Sequence, residues 1–299
     1  MLRDGLGLPE TRGMTLRIKP PKDIERTSPL LLNYLNHRLQ MDVEQYKPNF
    51  LRRRIGARML ALGLDSHADY LEHLRRNPEE PEALHRALMI HHSGFMRDLE
   101  SFQALREEVL DPLIAHRRAA RRREVAVWSA GCASGEEIYS VAILLAELLG
   151  PELPRWQVSL YGTDISAYAL KRARRGQYAS GRLDGLSDER VARYFQRQGE
   201  AFTVSPSIRR MITWALEDVR LPTRLSQTFD VILCRNVVIY YVSDQQIRIV
   251  RHLTDRLRTQ GYLMLGMSEG LPATFNTEFT AHVPPRRIFQ RIGMNEDST

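Results

Sequence analysis

The sequence predicts an α/β protein in which a small N-terminal all-helical domain precedes a doubly wound parallel-sheet domain with a small inserted β-subdomain. Three features predict it. Apolar residues recur at three- and four-residue steps over 29–117, the helical period. From 125 the pattern becomes strand, glycine loop, helix, strand, acidic residue and helix, the order of a parallel sheet with crossovers. A stretch of weaker order over 175–228 then separates this run from a buried apolar strand that opens at Phe229.

Residues 1–28 carry Pro9, Pro20 and Pro21 among scattered charges and lack the apolar core of a signal peptide, so they read as a disordered leader. The helical domain and its linker occupy 29–118. Leu31, Leu32, Leu35 and Leu39 make one apolar face, and Phe50, Leu51, Ile55, Met59 and Leu62 another. Gly63 reads as a C-terminal cap, Asp65-Ser66 restarts a helix, Asn77-Pro78 ends it, and Pro81 opens the next. The second domain spans 119–294, with a tail at 295–299. A strand at 125–128 enters the loop 129–135, and a helix over 136–149 puts Ile138, Val141, Ala142, Leu145 and Leu148 on one face. A strand over 157–162 ends at Thr163-Asp164, and a helix over 166–174 follows. The inserted subdomain covers about 176–216, with a helix over 184–197, a hairpin arm at 201–204 and a strand at 212–216. Strands at 229–234, 262–266 and 287–292 and a helix over 243–257 complete the domain.

With 26% charged and 43% hydrophobic residues the chain can fill a core, which excludes disorder as its main state. Cys132 and Cys234 cannot build a disulfide framework and have no zinc-ligand spacing, which points to a reducing, cytoplasmic address and no metal. The longest apolar run, 229–242, is broken by Arg235 and Asn236 and falls short of the roughly 18 residues of a membrane span. The net charge of +7 is basic without resembling a polycationic tail.

The loop Gly131-Cys132-Ala133-Ser134-Gly135 lets a backbone approach a ligand, but Glu136 and Glu137 follow where a phosphate needs bare N–H groups. The Walker lysine and a complete G-x-G-x-x-G are missing. The ligand that suits carboxylates there is a nucleoside carrying a cation, and S-adenosylmethionine carries an ammonium and a sulfonium. Asp164 stands where the ribose-binding acid of such folds stands. Arg235 and Asn236 interrupt a buried strand end, where an unpaired polar group is costly, so they should face a site. Structural alternatives stand beside each reading: helix-dipole compensation for the two glutamates, an N-cap for Asp164, and a salt-bridged Arg235 with a structural Asn236.

Together these residues resemble the CheR-type chemotaxis receptor methyltransferases, which methylate receptor glutamates from S-adenosylmethionine. The resemblance covers about 29–292. It rests on Tyr46-Lys47, Arg52-Arg53-Arg54-Ile55, Phe95-Met96-Arg97-Asp98, Gly131 to Ser140, Thr163-Asp164-Ile165, Phe229-Asp230, Cys234-Arg235-Asn236, Ile239-Tyr240 and Gly266-Met267-Ser268-Glu269. It implies a helical domain followed by a class I, Rossmann-like methyltransferase domain, with S-adenosylmethionine as cofactor and S-adenosylhomocysteine as product. It also implies cofactor contacts from His91, Ser93, Arg97, Gly131, Glu136, Asp164, Arg220, Arg235, Asn236 and Val237. Departures from the family pattern are His91 for Asn or Gly, Ser93 for Thr, Met96 for Phe, Met267 for His, and Arg220 near the adenine. The motif 266–269 is expected to be structural.

An acceptor glutamate is ionised at neutral pH and needs no general base, which agrees with a sequence lacking a nucleophile–base set. Arg97 is cast as the orienting group and Tyr240 as a hydrogen-bond donor to the acceptor carboxylate. Arg54 and Arg58, four apart on one helix, are the candidate substrate contacts for acidic methylation helices of chemoreceptor-like proteins. Their alternative is a solvated cationic face, the reading given to the run at 117–123. No nucleic acid, no membrane insertion and no tethering by a receptor C-terminal pentapeptide are expected. The rival readings are a class I methyltransferase acting on RNA and a degenerate cofactor-binding regulatory module.

Overall fold

The computed structural model describes residues 27–39, 41–88 and 93–293. The expected leader, apart from its last two residues, and the tail lie outside the described residues. Packing divides the chain into two units: described residues up to Met41 with Pro48–Leu88, and Asp42–Lys47 with the described residues beyond 89.

The first unit is all-helical: α1 Pro29–Arg38, α2 Pro48–Ala61, α3 His67–Arg76 and α4 Glu80–Leu88. Proline opens α1 and α2, where its missing N–H costs nothing. The Ser66 hydroxyl accepts the Asp69 N–H at 3.1 Å to cap α3, and Gly63 ends α2 at φ +68°. Leu31, Leu35, Ile55, Met59, Tyr70 and Leu84 are fully buried. In their midst Glu80, 6% exposed, accepts from Arg58 Nη2 at 2.5 Å, Arg58 Nε at 3.0 Å and the Tyr70 hydroxyl at 2.8 Å. A buried carboxylate is tolerable only with such partners.

The second unit opens with α5 Leu99–Ala104, which passes through a π turn at Leu105–Leu110 into α6 Asp111–Ala119. Then come β1 Glu124–Ala130, α7 Glu136–Leu149, β2 Gln157–Asp164 and α8 Ala167–Arg175. The insertion comprises β3 Gln177–Ala179, α9 Asp188–Tyr194, β4 Phe195–Gln198, β5 Ala201–Val204 and α10 Pro206–Arg209. The chain returns through β6 Ile212–Leu216, β7 Phe229–Cys234, α11 Ser243–Thr254, β8 Leu257–Leu265, β9 Phe279–Val283 and β10 Ile288–Arg291. The main sheet has the order β6-β2-β1-β7-β8-β10-β9, parallel through β8 and antiparallel beyond it, and β3-β5-β4 form a second, small sheet. Val127, Val231 and Leu233 bury one face of the sheet against Ile138, Val141 and Leu145 of α7. Each such side chain contributes about 1.5–3 kcal/mol of burial.

Four expectations need correction. The helices at 99–119 belong to the sheet unit, because Phe102, Leu105, Val109 and Ile114 share a core with Val125 and Ile138; periodicity identifies a helix but not the core it faces. The insertion closes before Ile212, since β6 pairs in parallel with β2. The helix expected over 184–197 is only α9, its end drawn out into β4 by pairing with β5. Arg117, expected to be solvated, is 13% exposed and donates to Asp230 at 2.6 Å.

The hexapeptide Asp42–Lys47 is part of the sheet unit. Tyr46 bridges Tyr241 in antiparallel fashion with ring centroids 4.9 Å apart. Lys47 N donates to the Tyr240 carbonyl at 2.9 Å, and Val242 N to that of Gln45 at 2.9 Å.

Candidate active site

The strand order reverses between β1 and β7, and open α/β sheets bind ligands beyond the strand ends at that point. Gly131 follows β1 at φ +79°, and a Cβ there would stand 2.6 Å from Val237 Cγ2, so only glycine lets the loop after β1 lie against the loop after β7. Gly131 N and Cys132 N donate to the Thr163 carbonyl at 2.8 and 2.9 Å. Asp164, at the end of β2, accepts Ala133 N on one oxygen and Ser166 N on the other, each at 2.8 Å. This ties the glycine loop to the end of β2.

Glu136 opens α7 fully buried, with the Ser134 hydroxyl 2.9 Å from both its oxygens. It makes no ion pair among the described residues. A buried carboxylate without a protein cation is costly, so this corner fits a ligand that brings its own positive charge. The neighbouring Glu137 accepts from the Ser129 hydroxyl at 2.8 Å and faces Arg235 Nη1 at 3.5 Å. Burial pushes its carboxyl above the ordinary value, against the pull of Arg235 and Ser129.

Arg97 is exposed between two residues in left-handed backbone, Met96 at φ 49° and Asp98 at φ 57°. Such conformations cost free energy in non-glycine residues and persist where the surroundings hold them. Met96 N donates to the Ser140 hydroxyl at 2.9 Å, Arg235 Nη2 donates to the Arg97 carbonyl at 2.9 Å, and Arg182 of the insertion donates to the Ser93 carbonyl at 2.9 Å. Phe95 packs edge-on against Tyr178 and Phe195 of the insertion, with centroids 4.9 and 5.2 Å away. The inserted subdomain thus clamps the segment that presents Arg97.

Past β7, Asn236 takes φ 58° and the chain turns through Val238–Tyr240. The turn is gathered by Glu269. One oxygen accepts from Gly266 N at 2.6 Å and Asn236 N at 2.8 Å; the other accepts from Val237 N at 2.9 Å and Ile239 N at 3.0 Å. Burial raises the Glu269 carboxyl above its ordinary value, and these four N–H bonds offset only part of the rise. The thiols of Cys132 and Cys234 are fully buried, and burial pushes both up, which disfavours the thiolate.

The structure brings Ser93, Arg97, Gly131, Glu136, Asp164, Asn236 and Val237 into segments tied to one another by these bonds. Arg235 serves the site differently from the expectation: its side chain is 2% exposed and committed to Asp98 and Glu137. Arg220 is committed too. It chelates Asp218 through Nε at 2.9 Å and Nη2 at 2.6 Å, donates to Gln45 at 3.2 Å and lies over the Tyr46 ring at 5.8 Å, which leaves no fork for an adenine. His91 lies outside the described residues. In the helical unit Arg58 is spent on Glu80, whereas Arg54 makes no ion pair among the described residues. The structural role expected of the 266–269 motif is taken by Glu269, whereas the pairing of Asp98 with Arg235, 137 residues away, has no local signal in the sequence.

Residues 91–286 match the profile of the CheR methyltransferase SAM-binding domain, and residues 29–89 that of the CheR methyltransferase all-alpha domain. The chain belongs to the CheR methyltransferase family. It is 33% identical over 231 residues to the chemotaxis protein methyltransferase of Salmonella typhimurium, covering 75% of this chain and 76% of that one. Against the chemotaxis protein methyltransferase of Listeria monocytogenes it is 28% identical over 247 residues, 83% and 91% of the two chains. It also matches an uncharacterized 104.1 kDa protein of Rhodobacter capsulatus at 33% over 248 residues, and spans 26% of that protein's length. The chain is an S-adenosylmethionine-dependent methyltransferase, and the buried, cation-free Glu136 beside Asp164 fits that cofactor. No helix among the described residues is long and apolar enough to cross a membrane.

Proposed function

We propose that this enzyme methylates the side-chain carboxylate of glutamates in acidic helices of chemoreceptor-like signalling proteins, giving glutamyl methyl esters. The observation that carries the reading is the clamped loop bearing Arg97: an exposed arginine held beside the cofactor loop suits an anionic acceptor. Bound in the crevice, S-adenosylmethionine supplies an electrophilic methyl group on a sulfonium. Glu136 takes its ammonium and Asp164 its ribose, with Gly131, Asn236, Val237 and Ser93 lining the crevice.

A glutamate of ordinary pKa, about 4.3, arrives as the carboxylate and is already nucleophilic. What it needs is orientation and removal of water. Arg97 orients the carboxylate, and the Tyr240 hydroxyl donates to one oxygen while the other stays free to attack. Arg54 offers a contact for the acidic helix. Only Gly199 and Glu200 join β4 to β5, and so short a turn supports the absence of pentapeptide tethering.

Incubation with tritiated S-adenosylmethionine and membranes of the source cell tests the reading. Label released as methanol in mild alkali is the expected result. Alkali-stable label on protein, or label on RNA, overturns it.

A further inference from the structure

We infer that a second cationic face, made by the end of α8 with Arg209 and Arg210, docks the acidic helix of the protein substrate; this rests on the glutamate-methylating reading. Residues 167–211 hold ten Lys and Arg against four Asp and Glu, a net of +6 in a chain of net +7. Six of these cations, Lys171, Arg172, Arg174, Arg175, Arg209 and Arg210, make no ion pair among the described residues. Lys171, Arg174, Arg175 and Arg210 are exposed.

The two elements are locked together. Gly176 ends α8 at φ +60°, where a Cβ would stand 2.9 Å from Arg209 Cδ, and Arg209 Nη1 donates to the Arg175 carbonyl at 3.4 Å. The helix dipole favours cations in the last turn of α8. It does not account for Arg209 and Arg210 on another element, nor for the missing acids among six like charges.

The helix that carries this face packs its buried side against the cofactor loop. A Cβ on Gly135 would stand 2.9 Å from the Ala173 Cβ, and the Tyr139 hydroxyl donates to the Ala173 carbonyl at 2.8 Å. Lys171 and Arg175 stand four apart, the spacing at which glutamates on an acidic helix present neighbouring carboxylates. Tyr168 is the one large exposed aromatic of α8, so the stacking platform of a nucleic-acid surface is missing.

The test uses the full chain with Lys171→Glu, Arg175→Glu and Arg210→Glu combined. Its probe is a fluorescein-labelled helical peptide with glutamates at i and i+4, read by anisotropy. Peptide affinity should fall at least about tenfold and lose most of its salt dependence, with melting temperature and S-adenosylhomocysteine affinity unchanged. Should the triple variant fail to fold, Lys171→Glu alone is expected to weaken binding about threefold. No peptide binding by the parent chain, or an affinity the substitutions leave unchanged, overturns the inference, as does a loss confined to RNA or anionic vesicles. Binding is read without turnover, so a parent chain that binds the peptide but deposits no alkali-labile label retains the docking face and loses the methylation reading.

Discussion

Arg235 Nη2 lies 2.7 Å from the Asp98 carboxylate and donates through the same nitrogen to the Arg97 carbonyl at 2.9 Å. One buried guanidinium therefore fixes the end of β7 to the strained loop that presents Arg97. Removing Arg235 strands the Glu137 carboxylate, 13% exposed, at a cost of about 3–5 kcal/mol, whereas Asp98 is 39% exposed and can turn to water. Arg235→Ala is expected to lose that much in urea unfolding, and a cycle with Asp98→Ala will show strong coupling. Simple additivity of the two would refute the bolt.

Glu269 holds the turn from Asn236 to Ile239 by four N–H bonds. Glu269→Ala orphans these donors, at about 1–3 kcal/mol each where water cannot reach. We expect at least ~3 kcal/mol of destabilisation, together with a drop in kcat measured well below the melting temperature. A variant with parent-like stability and turnover would leave Glu269 without this role.

Gly131→Ala forces a left-handed alanine into Val237. The backbone component costs about 1–3 kcal/mol and should persist in any background. The steric component should be relieved by Val237→Ala, so the double variant is expected to bind S-adenosylhomocysteine better than Gly131→Ala alone. Calorimetry on the three proteins reads this directly.

Arg97→Ala and Tyr240→Phe should each lower methyl transfer about 10²-fold or more, the usual scale for removing a group that stabilises a transition state. Cofactor affinity should survive in both. If binding of S-adenosylhomocysteine vanishes with activity, these residues hold the cofactor and do not serve the acceptor.

In the helical unit, burial raises the Glu80 carboxyl, but hydrogen bonds from Arg58 and Tyr70 outweigh it and leave the pKa below 4.5. The unfolded chain then holds that proton more tightly than the folded one. Stability from this group is present above 4.5 and is lost as pH falls through the lowered value. Glu80→Gln should flatten the decline in stability between neutral pH and acid, monitored by circular dichroism. An unchanged acid limb would argue against the pairing.

Much of this was legible in the sequence because it is local. A glycine loop between a strand and a helix announces Gly131 and Glu136, and an acid ending the next strand announces Asp164. Arg235 looked like a ligand residue because it interrupts a buried strand, and burial alone cannot tell a ligand from an internal ion pair 137 residues away. Arg220 enters as a cofactor contact only through the resemblance; its Asp218 partner is adjacent in sequence, but Tyr46 and Gln45 reach it only through the fold. Strand β9 has the burial pattern of an edge, with little apolar alternation to mark it.

The hexapeptide Asp42–Lys47 sits in sequence among the helices, yet it is packed into the sheet unit and bonded to the backbone at Tyr240. A recombination breakpoint at the boundary between the two family profiles, near residue 90, would deliver a foreign hexapeptide to the turn that carries Tyr240. A helical domain exchanged into this chain therefore has to keep the pairing of 45–47 with 240–242.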